Sequence, residues 1–210
     1  MGRVSRVVTG QMARPHGRVG WMVSRGFSRN SAELNQFVVA QLRVKPHERV
    51  ADLGCGPGLG VRALAEAASE GTVLGIDHSE AMIEQARRRN ADLMAAGRVI
   101  LHRGDLAELP AASLFDAVMS VHTIYFWSDP LRKLINIRQG LVPGGRVALC
   151  LQPPAGILRR MVEDAGHLPY TRDEVVGLLE RTGFLDIAVR DYPASRSGEF
   201  VAMGCAAKAR

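Results

Sequence analysis

The sequence predicts an α/β domain whose mainly parallel sheet is doubly wound, with helices on both faces. Three observations carry this. Short apolar runs alternate with segments of helical periodicity from Asn30 onward, the pattern of strand–helix–strand units. A turn with glycine at alternate positions, Gly54-Cys55-Gly56-Pro57-Gly58, lies between the first predicted strand and a helix. The last two predicted strands are separated only by residues 193–199, too few for a crossover helix, so they must pair as an antiparallel hairpin.

The elements follow in order. Ser31 is positioned to cap a helix in which Leu34, Phe37, Val38 and Leu42 recur at helical spacing, and Pro46 ends it. Arg49–Leu53 reads as the first strand and Leu59–Ala68 as the helix after the glycine turn. Thr72–Ile76 is a second strand, ending on Asp77, and Ser79 is expected to cap one continuous helix, Glu80–Met94. Val99–His102 and Phe115–Val121 are the third and fourth strands. Leu131–Leu141 is helical, and Pro143-Gly144-Gly145 makes a turn into a fifth strand, Arg146–Leu151. A helix at Arg172–Arg181 stops at Gly183, and strands near Ile187–Tyr192 and Phe200–Ala206 complete about seven.

Composition narrows the class. A chain of 210 residues with 47% hydrophobic residues suits one domain. It contains no apolar run of 18 residues, so no transmembrane helix is expected. The N-terminal stretch has no unbroken apolar core, so neither is a secretory leader. Cys55, Cys150 and Cys205 lack paired or zinc-type spacing and read as free thiols in a cytoplasmic protein, with no metal site. The net charge of +6 is local, because Arg3, Arg6, Arg14, Arg18, Arg25 and Arg29 precede the first acid, Glu33. Without them 21 basic residues balance 21 acidic ones. Residues 1–29 are therefore a basic arm or lid, and residues 30–210 the domain, with a short cap insertion at 153–170. A solvated arm is the simplest reading, and docking of an anionic partner such as RNA the alternative.

The glycine turn lets the backbone bend sharply and lets a ligand lie against it, while the following helix presents free amides. Such a turn at a strand's carboxyl end is where doubly wound folds bind nucleotides. The dinucleotide pattern fails because Leu59 stands where its third glycine belongs, and no phosphate loop with Gly-Lys-Ser/Thr is present. A second match, Gly58-Leu59-Gly60-Val61-Arg62-Ala63, falls inside the predicted helix. Asp77, 23 residues after Gly54, is placed to accept both hydroxyls of a ribose; with Ser79 as the cap, Asp77 is not needed for that task. Asp105, in Gly104-Asp105-Leu106, can accept from an adenine amino group beside an apolar neighbour.

Together Asp52-Leu53-Gly54-Cys55-Gly56-Pro57-Gly58, Gly75-Ile76-Asp77-His78-Ser79-Glu80-Ala81-Met82, Gly104-Asp105-Leu106, Phe115-Asp116-Ala117-Val118 and Leu141-Val142-Pro143-Gly144-Gly145-Arg146 resemble the ordered motifs of class I S-adenosylmethionine-dependent methyltransferases. The nearest group is the type-11 one that includes ubiquinone and menaquinone methyltransferases. The resemblance spans residues 49–151. It implies a Rossmann-like sheet in the order 3-2-1-4-5-7-6 with strand 7 antiparallel, and S-adenosylmethionine as cofactor. It further implies a cofactor site made from Asp52, Gly54, Cys55, Gly56, Gly58, Asp77, His78, Met82, Asp105, Leu106 and Ser120. In it the glycines lie against the methionyl part and Asp52 helps place its amino group.

After the fourth strand come Ser120-Val121-His122-Thr123-Ile124-Tyr125-Phe126-Trp127, where such enzymes bring acceptor and methyl group together. His122 titrates near neutrality and is the candidate general base, with Tyr125 beside it. The aromatic run offers either an apolar acceptor wall or core packing. The segment lacks the Asp/Asn-Pro-Pro-Tyr/Phe pattern of base-amine methylation, and Cys150 lies within a strand, so nucleic acid is disfavoured as acceptor. The expected activity is methyl transfer to oxygen or nitrogen of a small, partly apolar metabolite by a monomer or homodimer. The alternatives are an RNA or protein methyltransferase docking through the arm and a non-catalytic cofactor-binding protein.

Overall fold

The computed structural model describes residues 28–105, 114–153, 170–195 and 198–207. In these, helix α1 (Ser28–Leu42) leads to β1 (Arg49–Leu53), α2 (Leu59–Ala67) and β2 (Thr72–Asp77). Next come α3 (Glu80–Arg89), α4 (Ala91–Ala95), β3 (Val99–Arg103), β4 (Phe115–Val121), α5 (Pro130–Gly140) and β5 (Leu141–Leu151). Helix α6 (Arg172–Arg181) and strands β6 (Leu185–Asp191) and β7 (Phe200–Cys205) follow. The strands form one seven-stranded sheet in the order β3-β2-β1-β4-β5-β7-β6. The first five are parallel, and β7 runs antiparallel to both β5 and β6, as the short last connection requires.

Strand alternation sends side chains to two cores. Leu53, Ile76, Val118, Leu149 and Phe200 pack under α5 and α6, meeting Leu134, Ile137, Val175 and Leu179. Val50, Val73, Met119, Cys150 and Val201 pack under α1, α2 and α3, meeting Leu34, Val38, Leu42, Leu64 and Ile83. Among the described residues no helix is long and apolar enough to cross a membrane.

Four sequence expectations are corrected. Helix α1 starts at Ser28, so Ser31 lies within it and is not its cap, and the arm boundary at residue 29 falls in its first turn. The helix ends at Leu42, before Pro46: Arg43 turns left-handed (φ 51°) and Arg146 Nε donates to the Leu42 carbonyl at 2.8 Å. The predicted helix 80–94 is interrupted at Asn90, whose side-chain amide donates to the carbonyls of Ala86 (2.9 Å) and Gly58 (3.2 Å). Finally, Pro143-Gly144-Gly145 is not a turn ahead of β5 but part of it. Between the pairs Phe115↔Leu141 and Ala117↔Arg146 the strand bulges outward, and the Gly145 carbonyl is taken by the Ala206 amide at 2.8 Å.

Candidate functional site

The carboxyl ends of the parallel strands gather the candidate residues. Gly54 and Cys55 both donate their amides to the Ile76 carbonyl, at 2.8 and 2.9 Å, which folds the turn over the end of β2. Gly54, Gly56 and Gly58 have φ of 75°, 51° and 81°. Their tasks differ. A Cβ on Gly54 would stand 2.3 Å from Thr123 Cγ2, and one on Gly58 2.9 Å from Ala86, whereas at Gly56 nothing lies within 4 Å. Gly56 therefore faces the open cradle, and the other two let β4 and α3 close on the turn. The cap residue of α2, Gly58, has no side chain to offer its first turn, and the amide of Val61 in that turn donates to Asp52 instead. The Cys55 thiol is buried in the α1–α2–α3 core, where desolvation raises its pKa, and it donates to the Gly56 carbonyl of the turn at 3.9 Å.

Asp77 is bound to the turn itself. Its Oδ2 accepts from the Gly56 amide at 2.9 Å and its Oδ1 from the Ser79 amide at 2.8 Å. Ser79 occupies the cap position of α3, as expected from sequence, but without a side-chain capping bond; the Asp77 carboxylate holds the amide of this cap residue and so fixes the approach to the helix. A carboxylate has about four acceptor positions, so two bonds to backbone amides leave capacity for a ribose diol. His78 Nδ1 lies 3.7 Å from Asp77 Oδ1 at the rim, half exposed, and Met82 is buried in the first turn of α3.

Asp52 is 3% exposed beneath the turn. A Cβ on Gly60 would stand 2.3 Å from Asp52 Oδ2 and 2.7 Å from Asn35 Oδ1, so Gly60 admits an acid and an amide under the first turn of α2. Burial, with the Asp77 charge adding to it, raises the Asp52 pKa to about 7, against the hydrogen bond from Val61. A cationic amino group above it would reverse that penalty.

Asp105, two residues after β3, pairs through Oδ1 with Lys133 Nζ of α5. Leu106 lies outside the described residues, as does nearly all of the insertion 153–170. On β4, Ser120 Oγ donates to the Leu53 carbonyl at 2.8 Å and meets Thr123 Oγ1, so both hydroxyls are tied to the base of the glycine turn. His122 follows in the left-handed region (φ 56°), its amide donating to the Cys150 carbonyl at 2.9 Å. Desolvation lowers its pKa below 6.5, and the Glu199 carboxylate pushes it back in part, so the imidazole is neutral and able to take a proton. Tyr125 has a different place. Its hydroxyl donates to the Gln152 carbonyl at 2.8 Å and accepts the Gln152 amide at 2.6 Å; burial raises its pKa strongly, which suits a staple on β5 better than an acid. Trp127 and Ile124 belong to the core under α5, and the Phe126 ring meets Tyr125 edge-on at 6.1 Å.

Thr123, Asn90, Gly60 and Lys133 escaped the sequence reading. Lys133 carried a usable signal: it shares the stripe of Ile137 and Gly140 on the buried side of α5, where a lone lysine needs a partner. Thr123 and Asn90 gave none, since their contacts are 69 and 32 residues distant.

Residues 50–145 match a methyltransferase domain family. The chain is 32% identical over 121 residues to an uncharacterized methyltransferase of Bacillus subtilis, covering 57% of this chain and 65% of the relative. It is 34% identical over 116 residues to the demethylmenaquinone methyltransferase of Symbiobacterium thermophilum, covering 54% and 46%. Across such curated relatives it spans from about a third to about two thirds of their length. The fold is that of the Haemonchus contortus phosphoethanolamine N-methyltransferase 2, solved with S-adenosylmethionine and with S-adenosylhomocysteine, with a TM-score of 0.69 at 19% identity over 85% of this chain and 53% of that one. The open cradle at Gly56 and the carboxylates of Asp77 and Asp105 fit that cofactor's methionyl, ribose and adenine parts. Residues 50–145, a little under half of the chain, are thus similar to a methyltransferase domain, and the sheet has the fold of solved S-adenosylmethionine-dependent methyltransferases.

Proposed function

We propose that the protein transfers a methyl group from S-adenosylmethionine to an oxygen or nitrogen of a small, partly apolar metabolite, with His122 as the group that takes the acceptor's proton. The sulfonium of the cofactor supplies the leaving group, so the protein's main work is to hold the acceptor in line, an effect worth up to about 7–11 kcal/mol. The observation that carries the reading is His122. It is a neutral, largely desolvated imidazole held in a left-handed backbone at the end of β4, next to the Ser120–Thr123 pair that braces the glycine turn. A non-glycine residue held in that region is a common mark of a functional position.

The acceptor class rests on three supports. Cys150 is 1% exposed within β5 and burial raises its thiol pKa to about 12, so it is unsuited to attack a nucleobase carbon. The residues after β4 lack the base-amine pattern. One relative is named for demethylmenaquinone, and the Haemonchus enzyme was solved with phosphomonomethylethanolamine. Cytoplasmic placement and a monomer or homodimer complete the proposal. The test is incubation with methyl-labelled cofactor and a fractionated extract of the source cells. Label is expected in a small-molecule fraction; label confined to RNA or protein would refute the acceptor class.

A further inference from the structure

Beside His122 the ends of three further strands come together with α1. Beyond the pairs Cys150↔Val201 and Leu151↔Phe200, the next residues of β5 and β7 are Gln152 and Glu199. The Tyr192 amide, at the end of β6, donates to the Glu199 carbonyl at 2.9 Å. Side chains alternate along a strand, so Glu199 shares the face of Val201, which packs in the core under α1. Helix α1 brings Phe37 to this face, where its ring meets that of Tyr192 with centroids 5.2 Å apart and planes tilted by 53°. Glu33 lies one turn before Phe37 on the same helix. The Ser195 hydroxyl donates to the Glu199 carboxylate and accepts the Glu199 amide at 2.7 Å, which holds the acid in place.

The charge on this face is unbalanced. Elsewhere Glu48, Glu80, Glu84, Asp92 and Asp191 each meet an arginine, whereas among the described residues Glu33 and Glu199 take part in no ion pair. A half-buried carboxylate without a counter-ion is costly. Desolvation raises the pKa of Tyr192, Cys150 and Tyr125, and the Glu199 charge raises each further; at His122, where desolvation lowers it, the same charge opposes the shift. The His122 ring and the Tyr192 hydroxyl make no hydrogen bond among the described residues. Aromatic faces attract cations, and a negative potential gathers them and repels anions. Among the described residues no three His, Cys, Asp or Glu side chains assemble as a metal site, so the cation that fits is organic. We propose that Glu199, with Tyr192 and Phe37, selects an acceptor that carries a protonated nitrogen beside an apolar body and disfavours anionic acceptors. The inference rests on the reading of His122 as the group that meets a small acceptor, and adds that molecule's charge. The nitrogen is the handle by which the acceptor is held, and the atom that receives the methyl group is the one that reaches His122.

The test is a ligand-detected NMR titration of the full chain, saturated with S-adenosylhomocysteine, with phenethylamine and with phenylpropionate. The two probes share an apolar ring and differ in the sign of their charge. The wild type should bind the amine about tenfold more tightly or better, the scale of one charge-assisted contact. Glu199→Gln keeps the shape of the side chain and an oxygen for Ser195. It should weaken the amine, spare the acid and bring the ratio to within about threefold. Tyr192→Leu should lower the ratio by about threefold through the lost ring face. Glu33→Gln, at an exposed position of α1, is the further variant should Glu199→Gln fail to fold, and should move the ratio in the same direction. Equal binding of the probes, preference for the acid, binding of neither, or an unchanged ratio in a folded Glu199→Gln protein overturns the proposal. Ion exchange of the products labelled from methyl-labelled cofactor keeps this proposal apart from the reading beneath it. A small labelled product retained on a cation exchanger is expected. One retained on an anion exchanger, or on neither, overturns the charge selection and leaves methyl transfer to a small molecule standing. Label confined to RNA or protein refutes the small acceptor itself.

Discussion

Asp52 should make the protein's stability depend on pH in a direction opposite to that of most carboxylates. Its pKa is raised from 3.8 to about 7 by burial and by the Asp77 charge. Folded Asp52 holds its proton more tightly than the unfolded chain does, so protonation favours the fold. The contribution is fully present below the unfolded value and is lost as pH rises through 7. Three units at 1.36 kcal/mol each set its full size at about 4 kcal/mol, of which about 2 kcal/mol should disappear between pH 5 and pH 7. Asp52→Asn keeps the shape and removes the charge. Urea unfolding of both proteins without cofactor, from pH 5 to pH 8, measures the difference between them, in which all other titrating groups cancel. The variant should lose less stability than the wild type across this interval, by about 2 kcal/mol. Parallel curves would refute the reasoning and return Asp52 to an ordinary acid. If the cofactor's ammonium settles above Asp52, binding at pH 7 should also release protons, visible as a dependence of the calorimetric heat on the buffer's ionisation enthalpy.

Other perturbations address the rest of the site. His122→Ala should cut methyl transfer about 10²–10⁴-fold for an acceptor that must lose a proton, while cofactor affinity holds. The wild-type rate should fall as pH drops through a value below 6.5 where the imidazole protonates, and the variant should lack that limb; full activity at every pH removes His122 from the mechanism. Asp77→Ala should lower both the melting temperature and cofactor affinity, the latter by about 1.5–3 kcal/mol, because the side chain serves two backbone amides as well as the ligand; unchanged affinity would leave it a brace of the glycine turn only. Gly54→Ala should destabilise the fold by about 2–4 kcal/mol through its positive φ and the collision with Thr123 Cγ2. Adding Thr123→Ser, which removes that methyl, should recover part of the loss in denaturant midpoints, and no recovery would place the strain in the backbone alone.

The sequence by itself determined the strands and the closing hairpin, because their determinants are local, while the strand order came from the family resemblance. Apolar runs of strand length, the helical spacing of Leu34, Val38 and Leu42, and a six-step gap between Pro193 and Glu199 leave one arrangement for the last two strands, a hairpin. It also placed Gly56, Asp77, Asp105 and His122 at the ends of strands, since a residue's position along a strand is legible from pattern alone. Tertiary structure decided what each of these residues touches. That Asp77 binds the amides of Gly56 and Ser79 depends on which oxygen reaches which amide, a choice made when the glycine turn folds over β2. The break at Asn90 comes from a carbonyl 32 residues earlier, and the bulge at Pro143-Gly144-Gly145 from bonds to the last strand's end. Tyr125 reads as a candidate catalytic residue beside His122 until the end of β5 brings the Gln152 backbone to its hydroxyl. The pKa values of Asp52 and His122, and the partner of Lys133, belong to the same class. Desolvation and ion pairing depend on what the whole chain stacks around a group, and no spacing along the sequence encodes that.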